Sequence, residues 1–174
     1  MTTTPRTWVV GETVTAAYMN TEIRDQFNSF FGAWTTYTPT WIAEGGGGTN
    51  PTIGNGSLTG RYLKIGRTVD WVIQLSWGST SAAGGGGGSE NWMFGLPASP
   101  ATGFTYRNAS FDMFDNSTSL HYSGRGVYNT GSGGVVKTIV SDRADLSGIW
   151  DSTLPVIFAA GDILYGSGRY EAAA

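Results

Sequence analysis

The sequence predicts a mainly β protein: a jelly-roll-like antiparallel β-sandwich preceded by a short N-terminal arm and one α-helix. Three observations predict it. From Trp34 onward, short alternating apolar segments recur between glycines and prolines, the pattern of an all-β sandwich or barrel. Before Gly32, a single stretch carries helical periodicity. Only 13% of the 174 residues are charged, while 40% are hydrophobic and 27 are glycine. Such a chain buries a real core yet meets water through Ser, Thr, Asn and Gly.

The helical stretch is TAAYMNTEIRDQFNSFF, residues 15–31. Thr15 is placed to cap it, and Met19, Ile23, Phe27 and Phe30 follow at spacings of four, four and three, which gives one narrow apolar stripe. Gly32 is a natural stop. A helix of this length, about 24 Å, is marginal alone and must bury its stripe. Two burials are open: against its own domain, or in a short bundle with other copies of the chain, for which the spacing suits a coiled-coil seam. The boundary falls at Gly32–Trp34, so residues 1–34 form an arm with a helix and residues 35–174 the β-domain.

Within the β-domain, PTIGNGSLTGRYLKIGRTVDWVIQLSW (51–77) reads as a hairpin. Val69, Trp71, Ile73, Leu75 and Trp77 share one face, and Thr68, Asp70, Val72, Gln74 and Ser76 the other. Arg61–Ile65 pairs back across Gly66-Arg67, where glycine in the first central position suits a type II′ turn. Further strands are expected at Tyr37–Ala43, Asn91–Gly95, Phe104–Phe114, Leu120–Tyr128, Val135–Val140, Leu154–Phe158 and Ile163–Tyr170. The glycine tracts 45–48 and 84–88 read as loops, since neither is followed by the lysine, hydroxyl residue and helix of a phosphate-binding loop.

The residues argue against several chemistries. There is no cysteine, hence no disulfide or thiolate metal site, and His121 is the single histidine. It lies in a strand with no G-x-S-x-G elbow in the chain, so no catalytic triad is expected. With a net charge of −3 and ten scattered Lys and Arg, no basic stripe is present and nucleic acid is not an expected partner. No catalytic, cofactor or metal residues are assigned. A carboxylate pair among the acids of the second half, Asp142 and Asp145 included, would make a glycan depolymerase the enzymatic alternative, but Asx-turn capping is the commoner use of such aspartates. No apolar run is long enough to span a membrane and no signal peptide is expected.

Aromatic residues are the unusual resource, at 13%. Trp71 and Trp77 belong to the inward alternation. Trp34, Trp41, Trp92 and Trp150 lie near loops or strand ends; core is the default for each, but a half-exposed indole there could stack on a sugar or fill an interface between subunits.

Three stretches carry a resemblance: WVVGETVTAAYMNTEIRDQFN (8–28), PTIGNGSLTGRYLKIGRTVDWVIQL (51–75) with WMFGLP (92–97), and LPVIFAAGDILYGSGRYEAA (154–173). They resemble the small β-structured virion proteins of tailed bacteriophages, including phages of actinobacteria: minor tail proteins, tail fibres and head fibres. Residues 98–150 carry no part of the resemblance. It implies a homotrimer or other homo-oligomer, a β-knob held to other virion proteins of tail or capsid through residues 1–34, and no catalytic residues. A virion protein made in the host cytoplasm leaves by lysis, which would reconcile an extracellular style of composition with the lack of a leader. The expected role is host-surface glycan attachment; the alternative is a capsid decoration or head-fibre protein docked on the shell.

Overall fold

The computed structural model describes residues 6–43, 49–84, 91–102, 109–129, 135–141 and 150–173. The helical stretch forms where the periodicity puts it, as α1 (Ala16–Met19), a π-turn (Asn20–Arg24) and α2 (Asp25–Phe31), one after another without a break. Thr15 caps it, its hydroxyl accepting from the Tyr18 amide at 3.3 Å. Gly32 ends it in an extended conformation, φ −64° and ψ 146°, rather than in the left-handed region a glycine stop commonly takes. The π-turn is the departure from the expected uniform α-helix.

Among the described residues nine strands follow: β1 (Thr35–Tyr37), β2 (Trp41–Ala43), β3 (Ser57–Ile65), β4 (Thr68–Ser76), β5 (Trp92–Gly95), β6 (Ala109–Asp115), β7 (Leu120–Asn129), β8 (Val135–Ser141) and β9 (Ile163–Glu171). Every pairing is antiparallel, in the order β1-β3-β4-β9-β6-β7-β8-β5-β2. Between β7 and β8 the register slips, Arg125 opposing Val140 but Val127 opposing Lys137. An extra residue of this kind bends a strand and raises its twist, and here it divides six strands, β1 to β7 in that order, from a three-stranded second layer of β8, β5 and β2. The two ends of the order are β1 and β2, yet Tyr37 and Trp41 are four residues apart and can be separated by no more than about 14 Å. The sheet therefore folds back on itself into a sandwich. Contacts across the layers follow: Phe94 of β5 stacks 6.1 Å from Phe111 of β6, and Trp41 of β2 stands edge-on to Trp77, just past β4, at 5.5 Å.

The β3–β4 hairpin forms as expected. Nine residue pairs run from Ser57↔Ser76 to Ile65↔Thr68, and Gly66 alone of the two turn residues has positive φ, +58°, which fits the type II′ turn. Val69, Trp71, Ile73, Leu75 and Trp77 face the core at 0–7% exposure. β9 runs alongside β4, and it leaves space for large neighbours. A Cβ on Gly168 would strike the Tyr128 hydroxyl and lie 3.1 Å from the Trp71 indole nitrogen; without it, Trp71 Nε1–H donates to Tyr128 Oη at 2.9 Å inside the core.

Two expected strands differ. Tyr37–Ala43 is two short strands, broken at residues 38–40 where the chain crosses from one layer to the other. Leu154–Phe158 is not a strand. Pro155 brings no N–H to a ladder, and Asp151 ties the segment into a turn, its Oδ1 accepting from the amides of Thr153 at 2.7 Å and Leu154 at 3.0 Å. Phe158 is nevertheless core and Val156 packs on it. Residues 45–48, 85–88 and 104–108, and Asp142 and Asp145, lie outside the described residues.

Candidate functional site

Two surfaces stand out, the first at the N-terminus. None of the helical residues is buried. Met19 and Ile23 are exposed to 44% and 43%, Phe27 and Phe30 to 61% and 59%. The less exposed helical residues are all polar, Thr21, Glu22, Asp25, Gln26 and Ser29, while Asn20, Arg24 and Asn28 are exposed alongside the apolar stripe, so the stripe faces away from the chain's own domain. Of the two burials open from the sequence, packing of the stripe on its own domain is thereby overturned. Among the described residues, eleven of the fifteen large hydrophobic side chains that stand exposed belong to residues 8–34.

The arm that precedes the helix is folded onto it. The Arg6 amide donates to Glu22 Oε2 at 3.2 Å, and its guanidinium pairs with Glu12 and lies 4.1 Å over the Tyr18 ring and 5.4 Å from that of Trp8. Trp8 and Tyr18 meet edge to face at 6.2 Å. Stacking of a cation on two rings holds the arm in one geometry and leaves Val9, Val10 and Val14 outside it, all exposed.

The second surface is the outer face of the six-stranded sheet. Cross-strand register sets Gln74, Tyr165 and Asp112 side by side in one row, and Arg61, Val72, Ser167 and Ser110 in the next. Three shallow depressions meet at Val72. One, of 230 Å³, lies toward Ser110 and Asp112; another, of 170 Å³, toward Thr59 and Arg61; both are walled by Tyr165. The third, of 430 Å³, runs between Trp34, Asp70 and Arg169. Tyr165 is 42% and Trp34 37% exposed. Two carboxylates here have partners, and Arg61 adds a positive charge at the depression toward Thr59. Arg169 binds Asp70 with two nitrogens, at 2.7 and 3.0 Å, and the Asp112 carboxylate meets His121 Nδ1 at 2.8 Å.

The four tryptophans picked out as sugar or interface aromatics thus part company. Trp34 lies on the outer face. Trp41, Trp92 and Trp150, at 6%, 0% and 0% exposure, are core, the default expected for each, and so fall out as candidate sugar or interface aromatics: their strands and turn close the space between the layers, and their rings fill it. Trp92 anchors this cluster, 5.1 Å from Trp41 and 4.8 Å from Phe158, with its indole N–H on the Ala83 carbonyl at 3.2 Å. Tyr165 was missed by reasoning from loops and strand ends. The alternation Ile163, Tyr165, Ser167, Arg169 against Leu164 and Tyr170 was the signal that could have found it.

Three aspartates act as turn caps. Asp115, Asp151 and Asp162 each accept from two or more backbone amides or hydroxyls nearby. Among the described residues no three His, Cys, Asp or Glu side chains gather as metal ligands, and no helix is long and apolar enough to cross a membrane. No protein-family model, curated protein or solved structure matches the chain.

Proposed function

We propose that this chain is a structural virion protein of a tailed bacteriophage, a non-enzymatic tail or fibre component that assembles through residues 1–34, as a homotrimer, and displays its β-sandwich for attachment to glycans on the host surface. One observation carries the reading: among the described residues, the exposed large apolar side chains are concentrated in residues 8–34, in an arm and a helix whose stripe faces away from the β-domain. Such a stripe needs a partner, and its spacings of four and three suit a seam between like helices. The resemblance of residues 8–28, 51–75, 92–97 and 154–173 to phage virion proteins points the same way. Three sandwiches held together would turn a weak sugar contact into useful avidity.

The test is a gold label raised against the β-domain, imaged on purified particles. Label at the tail supports the reading, label over the head replaces it with a capsid decoration, and particles that carry no label refute a virion role. Release of reducing ends from host wall polysaccharide by the purified chain would overturn the non-enzymatic part.

A further inference from the structure

The outer sheet face joins features that seldom coincide on a surface with no partner. An aromatic ring, Tyr165, stands between an amide, Gln74, and a carboxylate, Asp112, in a single cross-strand row. Neighbouring strands lie about 5 Å apart, so the three groups reach a ligand together. On either side of the ring is a depression, of 230 and 170 Å³, each below the about 300 Å³ at which pockets begin to hold drug-sized molecules. Each suits one ring-sized unit, and the pair suits two consecutive units astride Tyr165. The third depression continues past Val72 to a second exposed ring, Trp34.

Charge selects the class of occupant. Asp70 is neutralised by Arg169, Asp112 faces His121, and Arg61 is the one further charged residue lining the depressions, so the face presents no cluster of one sign that would draw a phosphate or sulfate chain. The two depressions beside Tyr165 are lined mainly by apolar atoms, the kind of surface that the C–H face of a sugar ring meets, and the polar groups stand around their rims. Ring faces flanked by hydroxyls, an amide and a carboxylate match a molecule with apolar C–H faces and many uncharged hydroxyls.

We infer that this face is a binding site for an uncharged oligosaccharide of at least two rings, with Tyr165 stacking on one sugar face, Gln74 and Asp112 hydrogen-bonding its hydroxyls, and Trp34 receiving the continuing chain. The inference rests on the glycan-attachment reading and gives it an address. The probe is an array of neutral hexose and N-acetylhexosamine oligosaccharides, with sulfated and sialylated glycans beside them, exposed to the full chain. Neutral glycans should be retained in preference to charged ones, and disaccharides or longer in preference to single sugars. Tyr165→Ala should weaken retention at least tenfold and Gln74→Ala several-fold, with the circular dichroism and melting temperature of both variants unchanged, because both side chains point away from the core.

Failure to retain any neutral glycan would overturn the inference, as would a preference for charged glycans. Retention that survives Tyr165→Ala would overturn the site while leaving glycan attachment intact. If Tyr165→Ala instead lowers the mass of the assembly in light scattering, the face is a contact between copies and the inference also falls. Virion location is read separately by the gold label, so the two readings fail independently.

Discussion

Asp115 is 3% exposed and is held by Ser117 and Thr118. Its Oδ1 accepts from the Ser117 hydroxyl at 2.7 Å and amide at 2.8 Å, and its Oδ2 from the Thr118 hydroxyl at 2.7 Å. These bonds, the Ser117 hydroxyl foremost and the Thr118 hydroxyl next, keep its carboxyl below the usual range despite burial, which acts the other way. A carboxyl with a lowered folded pKa stabilises the fold above its unfolded value, about 4, and that contribution is lost as pH falls through the folded value. Urea midpoints measured from neutral pH downward should therefore fall below about pH 4, and Asp115→Asn should flatten that fall; parallel curves for both proteins would contradict it. In the core, burial lifts the phenols of Tyr37, Tyr128 and Tyr170 well above the ordinary tyrosine value, so Tyr128 stays neutral and accepts from Trp71. Tyr128→Phe leaves that indole N–H unpaired and should cost about 1–3 kcal/mol in denaturant unfolding. Neither arrangement was legible beforehand. Alternation placed Trp71 inward, but its partner comes from β7, 57 residues away in the chain, and only the sheet order brings them together.

β4 is the element on which the sandwich is built, paired along its full length with β3 and β9. Ile73, 2% exposed, sits at its middle; Ile73→Asp would bury an unpaired charge, at a penalty of several kcal/mol, and should abolish soluble expression. This hairpin was legible because two strong signals agree, period-two alternation and glycine at the turn. Leu154–Phe158 misled because its apolar run resembles a strand while Pro155 and the cap at Asp151 forbid one. The helix was legible in its ends and stripe. Its π-turn was not, since none of the sequence signals for helix starts, stops or periodicity distinguishes an i→i+5 turn from an α-helical one. Which way the stripe faces was also hidden: periodicity reports a stripe and is silent on what meets it.

Among the described residues the sandwich buries most of its large apolar side chains within one chain, whereas residues 8–34 leave theirs outside. The division predicts that the two parts separate. Removal of residues 1–33 should leave a β-domain with the circular dichroism of the intact chain that no longer enters particles; a truncated chain that still assembled into virions would contradict the anchoring role. The exposed stripe itself should be sensitive to charge. Phe27→Glu would set like charges against one another at each seam and should dissociate the assembly without lowering the melting temperature of the sandwich, as read by gel filtration and calorimetry.

The most direct measurement is the mass of the intact chain by light scattering at micromolar concentration. A mass three times the 18.4 kDa of one chain, falling to a single chain in Phe27→Glu, is the predicted result. A monomer of the unaltered protein would contradict the account.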